Sequence, residues 1–155
     1  MVPLSHDGEI VLALCKKLLN TLRIMGPDGR AQFISTLAPG GQACHARPSL
    51  DPSIPSPVIS YEDNKESFPN RIDWDSGNDY EEGIDDGDDG REIVVLVDHD
   101  IAMVWTPYWF KNNGQLTHVG TNCFTLAKDP VEGWKIVGMT DTGRWPSDED
   151  KKRLL

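Results

Sequence analysis

Residues 91–141 read REIVVLVDHDIAMVWTPYWFKNNGQLTHVGTNCFTLAKDPVEGWKIVGMTD, and this stretch decides the fold. Four apolar runs are separated by turn chemistry. The breaks are Asp98-His99-Asp100, Asn112-Asn113-Gly114 and Asp129-Pro130-Val131-Glu132-Gly133. Asn-Gly between alternating apolar residues is a strong hairpin signal, because both central positions of a type I′ turn need positive φ. The pattern predicts four strands in an antiparallel meander.

Working outward toward the N-terminus, Ile10, Val11, Leu14, Leu18, Leu22 and Met25 recur at spacings of three and four, predicting a helix over 7–25. Ser5 or Asp7 is placed to cap it, and Gly26-Pro27 to end it. A shorter helix is expected over 28–38, stopped by Pro39-Gly40-Gly41, with a short strand over 42–47. Pro48, Pro52, Pro55 and Pro57 then mark irregular connection, since proline removes ladder donors. Ser60 to Ile72 has room for a helical turn or two.

Residues 73–90 hold nine carboxylates and no Lys or Arg, which accounts for nearly all of the net charge of −10. The segment reads as a mobile acidic loop. It misses the EF-hand pattern, because none of Gly77, Gly87 and Gly90 follows the required ligands at positions 1, 3 and 5. The whole of 48–90 is thus expected to be a Pro-rich, acidic, flexible insertion in a single domain spanning 1–155. Without a basic stripe, nucleic acid is not an expected partner. Cys15, Cys44 and Cys123 show no metal-binding or disulfide spacing, so neither metal nor cofactor is expected. No apolar run is long enough for a membrane span. MVPLSHDGE lacks signal-peptide character, and the expected address is the cytoplasm.

A two-residue loop at Asn113-Gly114 would set Trp109 opposite His118, Trp105 opposite Asn122, and Met103 opposite Phe124. These residues would then share one large aromatic face with Val94 and Leu96. Ala102, Val104, Thr106, Tyr108 and Phe110 would share the other with Thr117, Val119, Thr121, Cys123 and Thr125. The helices are expected on the first face. Such a surface describes either a small-molecule pocket or an ordinary core. On the last strand, Trp134 and Ile136 point inward. That periodicity turns Asp141 away from the pocket unless a bulge brings it back.

Two N-terminal helices and a C-terminal meander resemble the NTF2-like superfamily, especially its SnoaL-like and lumazine-binding-like members. The resemblance rests on Val97-Asp98, Ala102 through Tyr108, His118 through Leu126, and Gly133-Trp134-Lys135-Ile136. It implies an α+β cone in which helices pack on the concave face of a curved antiparallel four-stranded sheet. It also implies a pocket at the open end and a homodimer through the sheets. It implies no single reaction, because members include cyclases, isomerases, dehydratases and non-catalytic modules.

Two functions follow. One is proton-transfer catalysis on an apolar or aromatic small molecule. His118 would be the acid/base, with Asp141 as a second catalytic candidate. Trp105, Trp109, Asn122, Met103 and Phe124 would contact the ligand. The other is a non-catalytic ligand-binding or dimerisation module of the same fold.

Overall fold

The computed structural model describes residues 3–86 and 92–155. Helix α1 spans His6–Ile24, and its start is fixed by the Ser5 hydroxyl, which accepts from the Gly8 amide at 3.0 Å. Met25 adopts positive φ, and α2 follows directly over Gly26–Ser35. The strands are β1 (Leu37–Arg47), β2 (Val58–Asp63), β3 (Tyr80–Ile84), β4 (Val94–Asp98), β5 (Ile101–Asn112), β6 (Gln115–Asp129) and β7 (Gly133–Arg144). A 3-10 turn covers Phe68–Arg71 and a closing helix, α3, covers Asp148–Leu154.

Among the described residues, these seven strands form one sheet in the order β2-β1-β7-β6-β5-β3, with β4 also pairing β5. The fold is the expected α+β arrangement of helices on a curved sheet. The meander is extended by three strands that the sequence signals did not resolve as strands or resolved only in part. One pair, β1 with β7, is parallel. Strand β1 begins at Leu37, where a helix was expected, and runs through Pro39-Gly40-Gly41 at an irregularity. Gly41 is required there, since a Cβ would lie 2.2 Å from the Val137 carbonyl oxygen. The Asn64 side chain, fully buried, fills the irregularity by donating to the Ile136 carbonyl at 2.9 Å.

Residues 87–90 of the acidic segment lie outside the described residues. Its described part contains an edge strand, β3, bound along β5. Beyond it, Asp85 accepts a two-pronged pair of bonds from Arg153 of α3 at 2.6 and 2.8 Å. The β3–β5 pair brings Gly83 against Trp109, whose ring occupies the space a Cβ would need, with its nearest atom 2.1 Å away.

Two bulges decide which residues face the helices. The Asn113-Gly114 turn has positive φ at both residues, and Asn112 pairs Gln115 as expected. The register then shifts by one between Lys111↔Leu116 and Phe110↔His118, leaving Thr117 as the extra residue. Its hydroxyl donates to the Phe110 carbonyl at 3.3 Å. A second shift, between Leu126↔Ile136 and Thr125↔Gly138, leaves Val137 extra on β7. Each bulge exchanges the faces beyond it.

The concave face therefore carries Ala102, Val104, Thr106, Tyr108 and Phe110 of β5 with His118, Asn122, Phe124 and Leu126 of β6. Trp105, Trp109 and Met103 are on the opposite side, which corrects the expected grouping. Leu96 remains beside Met103 as anticipated, but on the outer face, where it is exposed. Leu18, Leu19 and Leu22 of α1 and Phe33 of α2 cover the concave face. Phe33 meets Phe68 edge-on at 4.9 Å and Trp74 at 5.5 Å. No described helix is long and apolar enough to cross a membrane.

Candidate functional site

A row of paired residues crosses five strands of the concave face. Ser60 of β2 pairs His45 of β1, which pairs Asp141 of β7; Asp141 pairs Asn122 of β6, and Asn122 pairs Thr106 of β5. Directly paired residues point to the same side, so these polar side chains converge. Over them lies a cavity of about 290 Å³ between the sheet and the helices. Its apolar walls include Leu18, Leu19, Leu22, Phe33, Phe68, Phe110 and Met139. Its polar lining is His45, Arg47, Arg71, Asp73, Tyr80, Glu82, His118 and Asp141.

The centre of the lining is Asp141, which the Val137 bulge turns inward. His45 Nδ1 lies 2.7 Å from Asp141 Oδ2, and both side chains are almost wholly buried. Arg47 binds the other oxygen, Oδ1, through one guanidinium nitrogen. Burial opposes the charge of Asp141, but the His45 hydrogen bond and the Arg47 charge hold its carboxyl below the usual range. In a neutral imidazole, a carboxylate accepting at Nδ1 places the one ring proton there and leaves a lone pair on Nε2. That Nε2 is buried and has no hydrogen-bond partner among the described residues.

Glu82 of β3 faces the same cavity. Asn122 donates to its Oε2 at 3.2 Å. Removal from water, reinforced by the nearby Asp141 charge, pushes the Glu82 carboxyl up to about 7. A carboxyl raised that far gives up its proton near neutral pH rather than in the ordinary acidic range.

His118 lines the cavity beside Glu82's neighbour on β5. Its ring stacks on Phe110 at 4.8 Å and meets Tyr108 edge-on at 5.6 Å, while Nδ1 lies 3.1 Å from the Thr117 hydroxyl. Burial and the Arg47 charge lower it to about 4, so it is uncharged at neutral pH. Asn122 is buried and meets the cavity lining through its hydrogen bond to Glu82. Phe124 faces inward but is fully buried in the core and does not line the cavity. Trp105, Trp109 and Met103 cannot touch a ligand there, because the Thr117 bulge puts them behind the sheet.

His45, Arg47 and Glu82 join the site without any local signal in the sequence that marks them. A strand over 42–47 puts Ala43, His45 and Arg47 on one face, but its parallel partner has no local signature. Glu82 was hidden among eight other carboxylates. Among the described residues, no group of three or more His, Cys, Asp or Glu side chains is placed to hold a metal ion.

Comparison with known proteins places the fold. No family model matches the chain, and no curated protein matches it in sequence. Solved structures do match in shape. An NTF2-like superfamily protein from Salmonella enterica serovar Typhimurium is 16% identical with a TM-score of 0.61, covering 91% of this chain and 92% of that one. A proposed dehydratase of the NTF2-like family from Streptomyces avermitilis is 13% identical with a TM-score of 0.63, covering 90% and 97%. The beta subunit of a proposed aromatic-ring-hydroxylating dioxygenase from Novosphingobium aromaticivorans is 10% identical with a TM-score of 0.65, covering 91% of each chain. The chain has the NTF2-like, cystatin-like cone fold. At these identities the likeness speaks for the fold alone.

Proposed function

We propose that the protein binds a small, largely apolar molecule bearing a carbonyl or hydroxyl oxygen and moves a proton on it. The observation that carries this reading is the buried His45–Asp141 pair in the wall of an apolar cavity, with His45 Nε2 left unpartnered. Buried polar atoms without partners are rare, and a ligand or water hydrogen is the natural complement. In this reading Nε2 takes a proton from a carbon next to the ligand's carbonyl, and Asp141 stabilises the imidazolium that forms. Glu82 is suited to the opposite transfer, since a carboxyl near neutrality both gives and takes protons. In a dehydration, the pair of electrons from the broken C–H bond forms the double bond. The Glu82 proton leaves with the departing hydroxyl as water. In an isomerisation, the proton returns to a different carbon. The same fold in a proposed dehydratase is compatible with this chemistry.

This reading moves the principal proton-transfer role from His118 to His45 and Glu82. His118, uncharged and stacked, serves as cavity wall and hydrogen-bond acceptor. The test is exchange of the methyl protons of acetophenone in heavy water, followed by NMR. Wild type should accelerate exchange and His45→Gln should abolish the acceleration. Binding of acetophenone without any acceleration would reduce the cavity to a ligand-binding module.

We also propose that two copies pair through the outer face of the sheet. Leu96, Ile101 and Trp105 are 59%, 59% and 43% exposed there, a large apolar surface for one chain to leave in water.

A further inference from the structure

Arg47 and Arg71 line not only the interior cavity but also an adjoining surface groove formed with Pro48, Leu50, Ile54 and Val58. They therefore stand where the two spaces meet. Arg47 is the inner of the two, bound to Asp141 and close enough to influence Glu82 and His118. Arg71 is the outer one. Its NH1 reaches Ser60 at 3.3 Å and Glu62 at 3.2 Å, on the strand edge beside His45. Each guanidinium is engaged by side-chain acceptors through NH1 only; Arg47 NH1 also donates to the Ala46 carbonyl at 3.0 Å. The remaining NH2 and Nε donors of both have no hydrogen-bond partner among the described residues.

We infer that Arg47 and Arg71 select a ligand that carries a carboxylate on an apolar body, the body entering the cavity and the carboxylate resting between the two guanidiniums. This rests on the proposed ligand-binding role of the cavity and adds the substrate class to it. Planar guanidinium donors match carboxylate geometry, and two half-used forks supply the donors that one carboxylate can accept. The acidic groups nearby do not cancel this. Asp141 is already paired with Arg47, and burial disfavours the charged form of Glu82. Glu62 holds Arg71 in a half-exposed pair, which solvent weakens, and Asp73 on the rim is exposed. The carboxylate also sets the polarity of binding. With its charge at the mouth, the ligand's apolar end faces His45 and Leu19 rather than solvent.

The experiment compares naphthoate, its neutral methyl ester and naphthylmethylamine by titration calorimetry on wild type and Arg71→Gln. Arg71 is exposed, so the variant is expected to fold, and circular dichroism checks that it does. Naphthoate should bind wild type at least about tenfold more tightly than the ester, consistent with charge-assisted bonds. The preference should collapse toward unity in Arg71→Gln, through loss of naphthoate affinity rather than gain of ester affinity. Equal binding of naphthoate and ester to wild type would overturn the inference and leave the apolar cavity reading standing. Tighter binding of the amine would overturn it in favour of the rim carboxylates. If none of the three binds, the ligand-binding reading falls and takes the inference with it.

Discussion

His45 and Asp141 face each other across a parallel strand pair, with Nδ1 2.7 Å from Oδ2, although 96 positions separate them in the chain. The contact depends on β1 lying beside β7, and on the Val137 bulge. Asp141 also neutralises Arg47, so it joins structure to chemistry. Asp141→Ala should destabilise the fold by about 3 kcal/mol, because it leaves the buried His45 and the partly buried Arg47 guanidinium without their shared acceptor. Asp141→Asn should lose less stability but still reduce proton exchange on the order of a hundredfold, by removing the carboxylate that stabilises the imidazolium. Urea unfolding and NMR exchange measure the two effects. An Asp141→Asn protein with full exchange activity would remove Asp141 from the mechanism.

Glu82 makes a pH-dependent prediction. The folded carboxyl keeps its proton up to about 7, whereas the ordinary value is 4.5. Between these values the folded state binds more protons than the unfolded chain. The stability Glu82 contributes is therefore fully present below about 4.5 and is lost as pH rises through 7. Gln keeps the oxygen that accepts from Asn122 and cannot ionise. Glu82→Gln should match wild type in stability at pH 4 and exceed it at pH 8 by about 3 kcal/mol. Equal stability at both pH values would mean that the carboxyl is solvated.

Trp109 covers Gly83 from the outer face, and its side chain is in turn capped by Lys111 Nζ, 4.8 Å from the ring. A side chain at 83 must displace that indole, and β3 with it. Gly83→Val should cost about 1–3 kcal/mol and loosen the strand that presents Glu82. Adding Trp109→Ala should recover part of the loss. If the single variant unfolds at the wild-type urea concentration, Trp109 is not packed on Gly83.

These variants touch what the sequence did and did not reveal. Asn113-Gly114 announced its hairpin because turn chemistry is local. The partition within β4 and β5 was legible for the same reason, since Leu96 still shares a face with Met103 and Trp105. The join of β5 to β6 was not legible. Thr117 looks like any strand threonine, and only the closed sheet makes it the extra residue that turns Trp105 outward and keeps His118 with Phe110. Asp141 carried the same ambiguity, and Val137 resolves it. The parallel β1–β7 pair is a long-range contact with no local signature, so His45 and Arg47 could not be joined to Asp141 in advance.

The outer face turns the displaced aromatics into a prediction about assembly. Leu96, Ile101 and Trp105 bring apolar surface together on neighbouring strands, and a second copy offers the same surface in return. Sedimentation at micromolar concentration should give about twice the chain mass of 17.3 kDa. Trp105→Lys should shift the protein to monomer while leaving acetophenone binding intact, because Trp105 lies behind the cavity wall. A wild-type monomer at that concentration would rule out pairing through this face.

His118 provides the sharpest separation between the two possible proton carriers. Its ring is buried against Phe110, and both burial and Arg47 favour the neutral form, down to about 4. An unfolded histidine binds its proton near 6.5, so stability linked to His118 is present above that value and is lost as pH falls toward 4. His118→Phe should therefore flatten the acid limb of the stability profile while preserving the stack on Phe110. Nitrogen-15 NMR of the histidines should show His118 uncharged at pH 5.5. A His118 that titrates near its ordinary value would restore it as the acid/base candidate. The exchange activity should then be lost in His118→Phe and retained in His45→Gln, the reverse of the outcome expected from the cavity's geometry.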